Sequence, residues 1–222
     1  MQKTILMIVA VVIVVGCGKK DSPESQANAK ATPKAEPKAE VKKPLTKEES
    51  AKVIEAAIRK AAKKPTGELT KADLEKVNVL LLGGSQLTDM KGLEKLTQLS
   101  TLFLYKNQLT DVKSLENLTQ LERLYLGDNQ LTEVPKELEK LTQLTKLTLD
   151  ENQLTDVKGL EKLTQLRVLN LHYNKLTNVK GLEKLTKLRE LWLYNNLDLT
   201  KAQIDELQKA LPKCKIISNP TK

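Results

Sequence analysis

The sequence predicts an α/β solenoid in which short parallel strands form one side of every coil and helical caps cover both ends. Six units repeat at spacings of 22, 22, 23, 22 and 22 residues, and they begin at Val77, Leu99, Leu121, Leu144, Leu166 and Leu188. Aromatic residues make up only 3% of the chain while leucine recurs at fixed positions, which indicates a core of one repeated aliphatic side chain. Helical patterns flank the repeats on both sides, as expected for a solenoid whose open ends need covers.

Each repeat combines a strand with a return segment. In the second unit, Leu102 and Leu104 alternate as in a strand and point into the coil, while leucines of the return side fill it from the opposite direction at Leu109, Leu115 and Leu118. In five units an asparagine follows the strand, where its amide can bond the turn backbone buried between coils. We predict a structural asparagine ladder formed by Asn107, Asn129, Asn152, Asn174 and Asn196.

The predicted caps are helical. Thr46 and Glu49 form a capping box that starts a helix running to about Lys64. The inner face of this helix is predicted to contain Val53, Ala57, Ile58 and Ala61. A second short helix is predicted from Thr70, and a third begins at Thr200 with an apolar face of Ile204, Leu207 and Leu211. Cys214 is predicted to be a buried cap residue on a short strand.

The N-terminus has the pattern of an export signal. A short, positively charged start precedes eleven apolar residues at 5–15, which span only about 16 Å as a helix and so disfavour a stable membrane crossing. The run ends in Val14-Val15-Gly16-Cys17, which resembles a bacterial lipobox. The resemblance implies that Cys17 is diacylated and becomes the mature N-terminus, and Gly18 in place of an aspartate implies outer-membrane sorting in a cell with two membranes.

These patterns predict five segments. Residues 1–16 are a lipoprotein signal peptide, and residues 17–46 are a lipidated cysteine followed by a disordered tether rich in Lys, Ala, Pro and Glu. An N-terminal helical cap at 47–76, six repeats at 77–199 and a C-terminal cap at 200–222 follow. We therefore expect an exported, membrane-anchored protein of the bacterial cell envelope whose folded part faces the periplasm or the surface.

The net charge of +9 does not indicate a nucleic-acid partner. Residues 1–76 hold 16 Lys/Arg against 10 Asp/Glu, an excess of +6, while residues 77–222 hold 21 against 18, an excess of +3. Most of the positive charge therefore lies outside the repeats, which have no dense basic stripe for a phosphate backbone.

The units of the form Asn-Gln-Leu-Thr-Asp-Val-Lys-Gly-Leu-Glu-Lys-Leu-Thr-Gln-Leu resemble internalin-type bacterial leucine-rich repeats. This resemblance covers about two thirds of the chain and implies a right-handed leucine-rich-repeat solenoid with a parallel concave β-sheet, whose family role is protein binding. We recognise neither an immunoglobulin-like domain nor a cell-wall sorting signal after the repeats, so the resemblance does not imply a role in host invasion.

The strand alternation also predicts which side chains face outward. The residues that flank the two inward leucines of each strand point to the concave face, giving 18 positions. Five of the six aromatic residues of the chain occupy these positions, and Tyr173 lies beside them. Exposed rings are common anchors of recognition surfaces, although high strand propensity is an alternative reason for their placement. The predicted partner-binding residues are Phe103, Tyr105, Arg123, Tyr125, Lys146, Asp150, Asn170, His172, Glu190, Trp192 and Tyr194.

The concave face suits a peptide, a loop or a transient protein contact, because its projected area of about 350 Å² is below that of a standard interface. No enzyme is predicted, since His172 is the only histidine and has no neighbouring serine or cysteine nucleophile. Asp150, one strand away, is expected to make a surface contact with it. The sequence has no Cys/His metal spacing and predicts no cofactor. The competing hypothesis is a structural envelope lipoprotein that acts as a tethered spacer without a specific ligand.

Overall fold

The structure is a computed structural model that describes residues 43–219, so the predicted signal peptide, Cys17 and most of the predicted tether lie outside the described residues. Within this range, seven short strands form one parallel sheet in chain order. The strands are β1 (Val79–Leu81), β2 (Thr101–Phe103), β3 (Arg123–Tyr125), β4 (Lys146–Thr148), β5 (Val168–Asn170), β6 (Glu190–Trp192) and β7 (Lys215–Ile217). This order, with a return segment after each of the first six strands, confirms the predicted α/β solenoid.

A constant register holds the core together. Each repeat strand pairs with the next so that its central leucine lies beside the central leucine of its neighbour, as Leu124 lies between Leu102 and Leu147. Nearly all leucines of the coils are less than 2% exposed, both those of the strands and those of the return sides. The core is therefore a continuous stack of aliphatic layers, and each coil is closed by its neighbours.

The return side of each of the first five coils contains a short 3₁₀ helix. These helices span Leu93–Lys95, Lys113–Leu115, Lys136–Lys140, Leu160–Lys162 and Leu182–Lys184. The helix of the third unit is the longest, because Pro135 starts it with φ −63° and the unit contains one more residue than its neighbours. The insertion is thus accommodated on the return side, and the strand register stays unchanged.

The five predicted ladder asparagines are buried at the end of the strands, where each amide joins two coils. The Nδ2 group of Asn129 donates to the carbonyl oxygens of Leu104 and Leu126, both at 3.0 Å. Its Oδ1 accepts from the backbone N–H of Leu109 at 3.1 Å. In the first coil the equivalent residue is Ser85, whose backbone N–H donates to Asn107 Oδ1.

The residue before each asparagine or serine of this row has a left-handed backbone. The φ angles lie between 51° and 66° at Gly84, Lys106, Asp128, Glu151, Tyr173 and Asn195. Left-handed backbone is uncommon outside glycine, and in five of the six turns it directly precedes an asparagine whose amide bonds to the turn backbone. The same turn brings Glu151 and Tyr173 to the edge of the concave face.

Two helices, α1 (Lys47–Ala61) and α2 (Lys71–Leu74), cover the first coil. Both begin with a capping box, at Thr46 and at Thr70. Asp73 of the second box also accepts from Lys64 Nζ at 2.7 Å, and this bond with those from Thr70 holds the pKa of Asp73 well below its usual range.

The inner face of α1 differs from the predicted one. Its buried residues are Ser50, Ile54 and Ile58, while Val53 and Ala57 are only partly buried against the core. Ser50 was missed because it is polar, but its hydroxyl accepts from the backbone N–H of Thr88 at 3.3 Å. The helix also ends at Ala61, before the predicted Lys64, because Lys63 turns into left-handed backbone with φ 54°.

The other end of the solenoid is covered by α3 (Lys201–Ala210) and β7. Leu207 and Leu211 of this cap are 3% exposed, and Ile204 is partly buried. Cys214 is buried beside them, and burial raises the pKa of its thiol to about 11. Among residues 43–219, no helix combines the length and the apolar character that a membrane crossing needs.

Candidate functional site

The concave face is built from three rows of side chains. Strand pairing aligns the first row as Val79, Thr101, Arg123, Lys146, Val168 and Glu190, and the second row as Leu81, Phe103, Tyr125, Thr148, Asn170 and Trp192. The third row follows the strands and contains Gly83, Tyr105, Gly127, Asp150, His172 and Tyr194. All eleven predicted partner-binding residues therefore lie on one continuous face.

The first aromatic cluster consists of Phe103, Tyr105 and Tyr125. The rings of Phe103 and Tyr125 are stacked, with centroids 4.4 Å apart and planes 5° from parallel. Tyr105 meets Phe103 edge-on at 6.5 Å and is 45% exposed. Lys146 Nζ lies 5.3 Å from the centroid of the Tyr125 ring, within cation–π range. These rings cover one another on the outside of the sheet and take no part in the leucine core.

Gly83 explains the position of Tyr105. A Cβ atom at residue 83 would lie 2.5 Å from Cζ of the Tyr105 ring, so the ring occupies space that only glycine leaves free. Gly127 has the same role for the next coil, because a Cβ atom there would lie 2.7 Å from the carboxylate of Asp150. The two glycines therefore let side chains of the following coil lean over the preceding one.

The second aromatic cluster consists of His172, Tyr173, Trp192 and Tyr194. His172 stacks on Tyr194 with ring centroids 4.6 Å apart and planes 7° from parallel. The ring of Trp192 is tilted against that of Tyr194, with centroids 6.3 Å apart. Tyr173 contacts Tyr194 edge-on, with centroids 5.5 Å apart. Tyr173 was expected beside the face, and its left-handed backbone directs the ring into this cluster with 51% of its surface exposed.

Acidic groups flank the second cluster. Asp150 Oδ2 lies 3.9 Å from Nε2 of His172, and Glu151 is exposed on the adjoining turn. Burial raises the pKa of the Tyr194 hydroxyl above its ordinary value, and neighbouring Tyr173, Asp150 and Glu151 raise it further. Carboxylates therefore lie beside the second cluster, whereas the basic side chains of Arg123 and Lys146 lie beside the first.

The asparagine ladder is a separate group of residues behind this face. The side-chain amides of the ladder form hydrogen bonds with backbone atoms of their own coil and of the neighbouring coils. These contacts indicate a structural role for the five asparagines. Sequence reasoning identified the rows of the concave face and expected a contact between Asp150 and His172, but it missed Glu151, whose carboxylate lies within 4.8 Å of the ligand atoms of both. The only available signal was that two adjacent coils carry these residues at neighbouring turn positions.

Comparison with known proteins identifies the class. A sequence-family model described as Leucine Rich repeats (2 copies) matches residues 119–162 and 164–209. No curated protein matches the sequence. The chain is nevertheless similar to solved structures, and these narrow the class to one group of bacterial proteins.

Internalin C2 of Listeria monocytogenes is 31% identical, with a TM-score of 0.70 over 76% of this chain and 74% of that one. An internalin, inlF, of the same organism is 26% identical with a TM-score of 0.61, over 76% of this chain and 55% of its own. A leucine-rich-repeat protein of Leptospira interrogans is 32% identical with a TM-score of 0.61, over 68% of this chain and 39% of its own. The chain belongs to the internalin-type leucine-rich-repeat proteins of bacteria. Domains of this kind are typically non-enzymatic modules for protein interaction.

Proposed function

We propose that this protein is a membrane-anchored binding module whose concave face captures a protein or peptide partner. The observation that carries the proposal is the gathering of rings on the outer side of the sheet, in two clusters on one face. A leucine core that holds every strand in constant register supports both clusters. Rings held on a rigid scaffold lose little conformational freedom on binding, which is why interface hot spots are rich in tyrosine and tryptophan.

The distance between the clusters defines the kind of partner. Tyr125 lies on β3 and Trp192 on β6, so three strand spacings of about 4.8 Å separate them by about 14 Å. An extended peptide that crosses the strands covers this distance in about four residues. The partner is therefore a segment or loop with two apolar anchors about four residues apart.

The charges around the clusters add direction to the contact. Arg123 and Lys146 lie beside the first cluster, and Asp150 and Glu151 lie beside the second. A partner with an acidic residue next to its first anchor and a basic residue next to its second complements both ends. Reversing the segment would bring like charges together, so the face selects one orientation.

Quantitative pull-down from the native envelope tests the proposal. The bait is the wild-type chain or a Tyr125→Ala/Trp192→Ala variant, and recovered proteins are counted by mass spectrometry. Each truncated hot-spot ring costs about 2 kcal/mol of binding free energy, which corresponds to about 30-fold weaker binding. We expect the specific partner to be lost from the double variant.

The control is a Lys95→Ala/Lys184→Ala variant, which changes two exposed residues on the 3₁₀ helices of the return side. It should recover the partner as the wild type does, and circular dichroism should show all three proteins folded. Equal recovery of every protein by all three baits would contradict partner binding. It would instead favour a tethered spacer without a specific ligand.

Membrane anchoring forms the second part of the proposal, and it rests on Val14-Val15-Gly16-Cys17. Two acyl chains on Cys17 provide lasting attachment, because each buried methylene contributes about 0.8 kcal/mol. Residues 18–46 link this cysteine to the first helix and contain seven lysines and four acidic residues.

Replacing Cys17 tests the anchor. In the native host, a Cys17→Ser variant should move from the membrane fraction to the soluble exported fraction, and metabolic labelling with a palmitate analogue should disappear. Cys214→Ser is the matched control, because this thiol is buried in the C-terminal cap, and it should leave the labelling unchanged. Labelling that persists in Cys17→Ser would contradict the anchor.

A further inference from the structure

Asp150, Glu151 and His172 meet where two adjacent coils turn away from the sheet. Each side chain offers one ligand atom, and these atoms all lie within 4.8 Å of one another. The backbone holds the two turns together, because the N–H of Glu151 donates to the carbonyl of His172 at 3.0 Å. Three groups that can donate electron pairs to a metal ion therefore converge at the edge of the concave face.

Asn170 determines which nitrogen of His172 carries the proton. The Oδ1 atom of Asn170 accepts the backbone N–H of His172 at 3.2 Å, which fixes the orientation of the amide. The same oxygen lies 2.6 Å from Nδ1 of the ring. An amide oxygen only accepts hydrogen bonds, so Nδ1 must be the protonated nitrogen. In neutral His172 the free lone pair is consequently on Nε2.

This lone pair faces a second acceptor. Nε2 lies 3.9 Å from Oδ2 of Asp150, beyond hydrogen-bond distance, and a carboxylate oxygen accepts hydrogen bonds and does not donate them. The histidine and aspartate side chains are only 12% and 21% exposed. A cation between the two atoms satisfies both electron pairs.

The donor set selects the type of cation. An imidazole nitrogen with two carboxylates suits zinc and neighbouring divalent transition metals, whereas calcium and magnesium prefer oxygen ligands alone. Two ligands of a tetrahedral zinc lie about 3.4 Å apart, so the three atoms need to approach by about an ångström, which the exposed Glu151 side chain allows. A metal-binding histidine also usually donates its other N–H to an oxygen, as His172 does to Asn170.

We propose that Asp150, Glu151 and His172 form a binding site for one divalent transition-metal ion of the zinc class, with an open coordination position toward solvent. Asp150 and His172 also belong to the proposed binding face, but metal binding requires no partner, so its test does not depend on the proposed function. The two proposals also fail separately: metal binding is measured on the purified protein alone, and partner capture is measured with the Tyr125 and Trp192 variants.

Isothermal titration with zinc chloride tests the site. The full chain carries Cys17→Ser in every sample, so that a free thiol does not take up the metal. We expect one zinc ion per chain with a dissociation constant in the micromolar range, and at least a ten-fold loss of affinity in both His172→Ala and Asp150→Asn. Asp198→Asn changes an exposed carboxylate outside the cluster and should bind zinc as the parent does.

Two further measurements separate this site from non-specific binding. Zinc should raise the melting temperature of the parent and of Asp198→Asn but not that of the site variants, because only a folded site binds it. In nitrogen NMR spectra of His172, zinc should shift the Nε2 resonance while Nδ1 remains protonated. An affinity that is the same in His172→Ala, or the absence of saturable binding to the parent, would overturn the proposal.

Discussion

Replacing Leu147 with alanine is expected to lower the free energy of unfolding by about 3 to 4 kcal/mol. Leu147 is 0% exposed at the centre of β4, and its paired neighbours are Leu124 and Leu169. The substitution removes buried apolar atoms and leaves a cavity. Coils on both sides keep the strand spacing fixed, so the cavity cannot close by moving one element.

Urea unfolding followed by circular dichroism measures this change. Leu197→Ala is the matched control, since the same atoms are removed from a side chain that is 82% exposed, and it should alter the free energy of unfolding by less than about 0.5 kcal/mol. Similar losses in both variants would mean that the leucine layers are not what stabilises the solenoid. A larger loss at Leu147 with an unchanged urea dependence is the expected result.

The repeat period and the alternation within each strand were enough to predict the coils. Leu102 and Leu104 had to point inward because residues of a strand alternate between faces, and this also placed Phe103 and Tyr105 outside. The 23-residue unit was recognisable from its length. That Pro135 would extend the 3₁₀ helix, and leave the strand undisturbed, follows from packing between coils and could not be read from one unit.

The sequence did not predict features that depend on contacts between particular side chains. Apolar periodicity cannot identify Ser50 as an inner residue of α1, because its burial depends on a hydrogen bond from Thr88. The outward positions of the rings were predictable, but their grouping depends on neighbours such as Gly83, which makes room for Tyr105. The proposed metal site needs residue 170 to orient His172, and sequence spacing carries no sign of this contact.

Replacing Asn152 with alanine is expected to lower the free energy of unfolding by about 3 kcal/mol, since several buried backbone groups lose their partner at once. Asn152 Nδ2 donates to the carbonyl oxygens of Leu126 at 3.0 Å and Leu149 at 3.2 Å, and Oδ1 accepts from the N–H of Leu131 at 3.0 Å. Water cannot replace these bonds between packed coils. Asn78→Ala, at an exposed asparagine, is the matched control and should cost less than about 0.5 kcal/mol in urea unfolding.

Asn152→Asp keeps the shape of the side chain but removes its Nδ2 donor, so this variant tests the contribution of the donated hydrogen bonds. The carboxylate can still accept from Leu131, but its second oxygen then faces the carbonyls of Leu126 and Leu149. Burial and this repulsion raise the pKa of the new carboxyl in the folded state above its unfolded value. Its protonated form therefore favours folding, so the stability deficit relative to wild type should shrink as the pH falls and grow as the pH rises through the folded pKa. A stability deficit of Asn152→Asp that is independent of pH would contradict the role of the amide donors. Unfolding of Asn152→Ala at the same urea concentration as Asn78→Ala would contradict the proposal that hydrogen bonds of the asparagine side chains stabilise the turns.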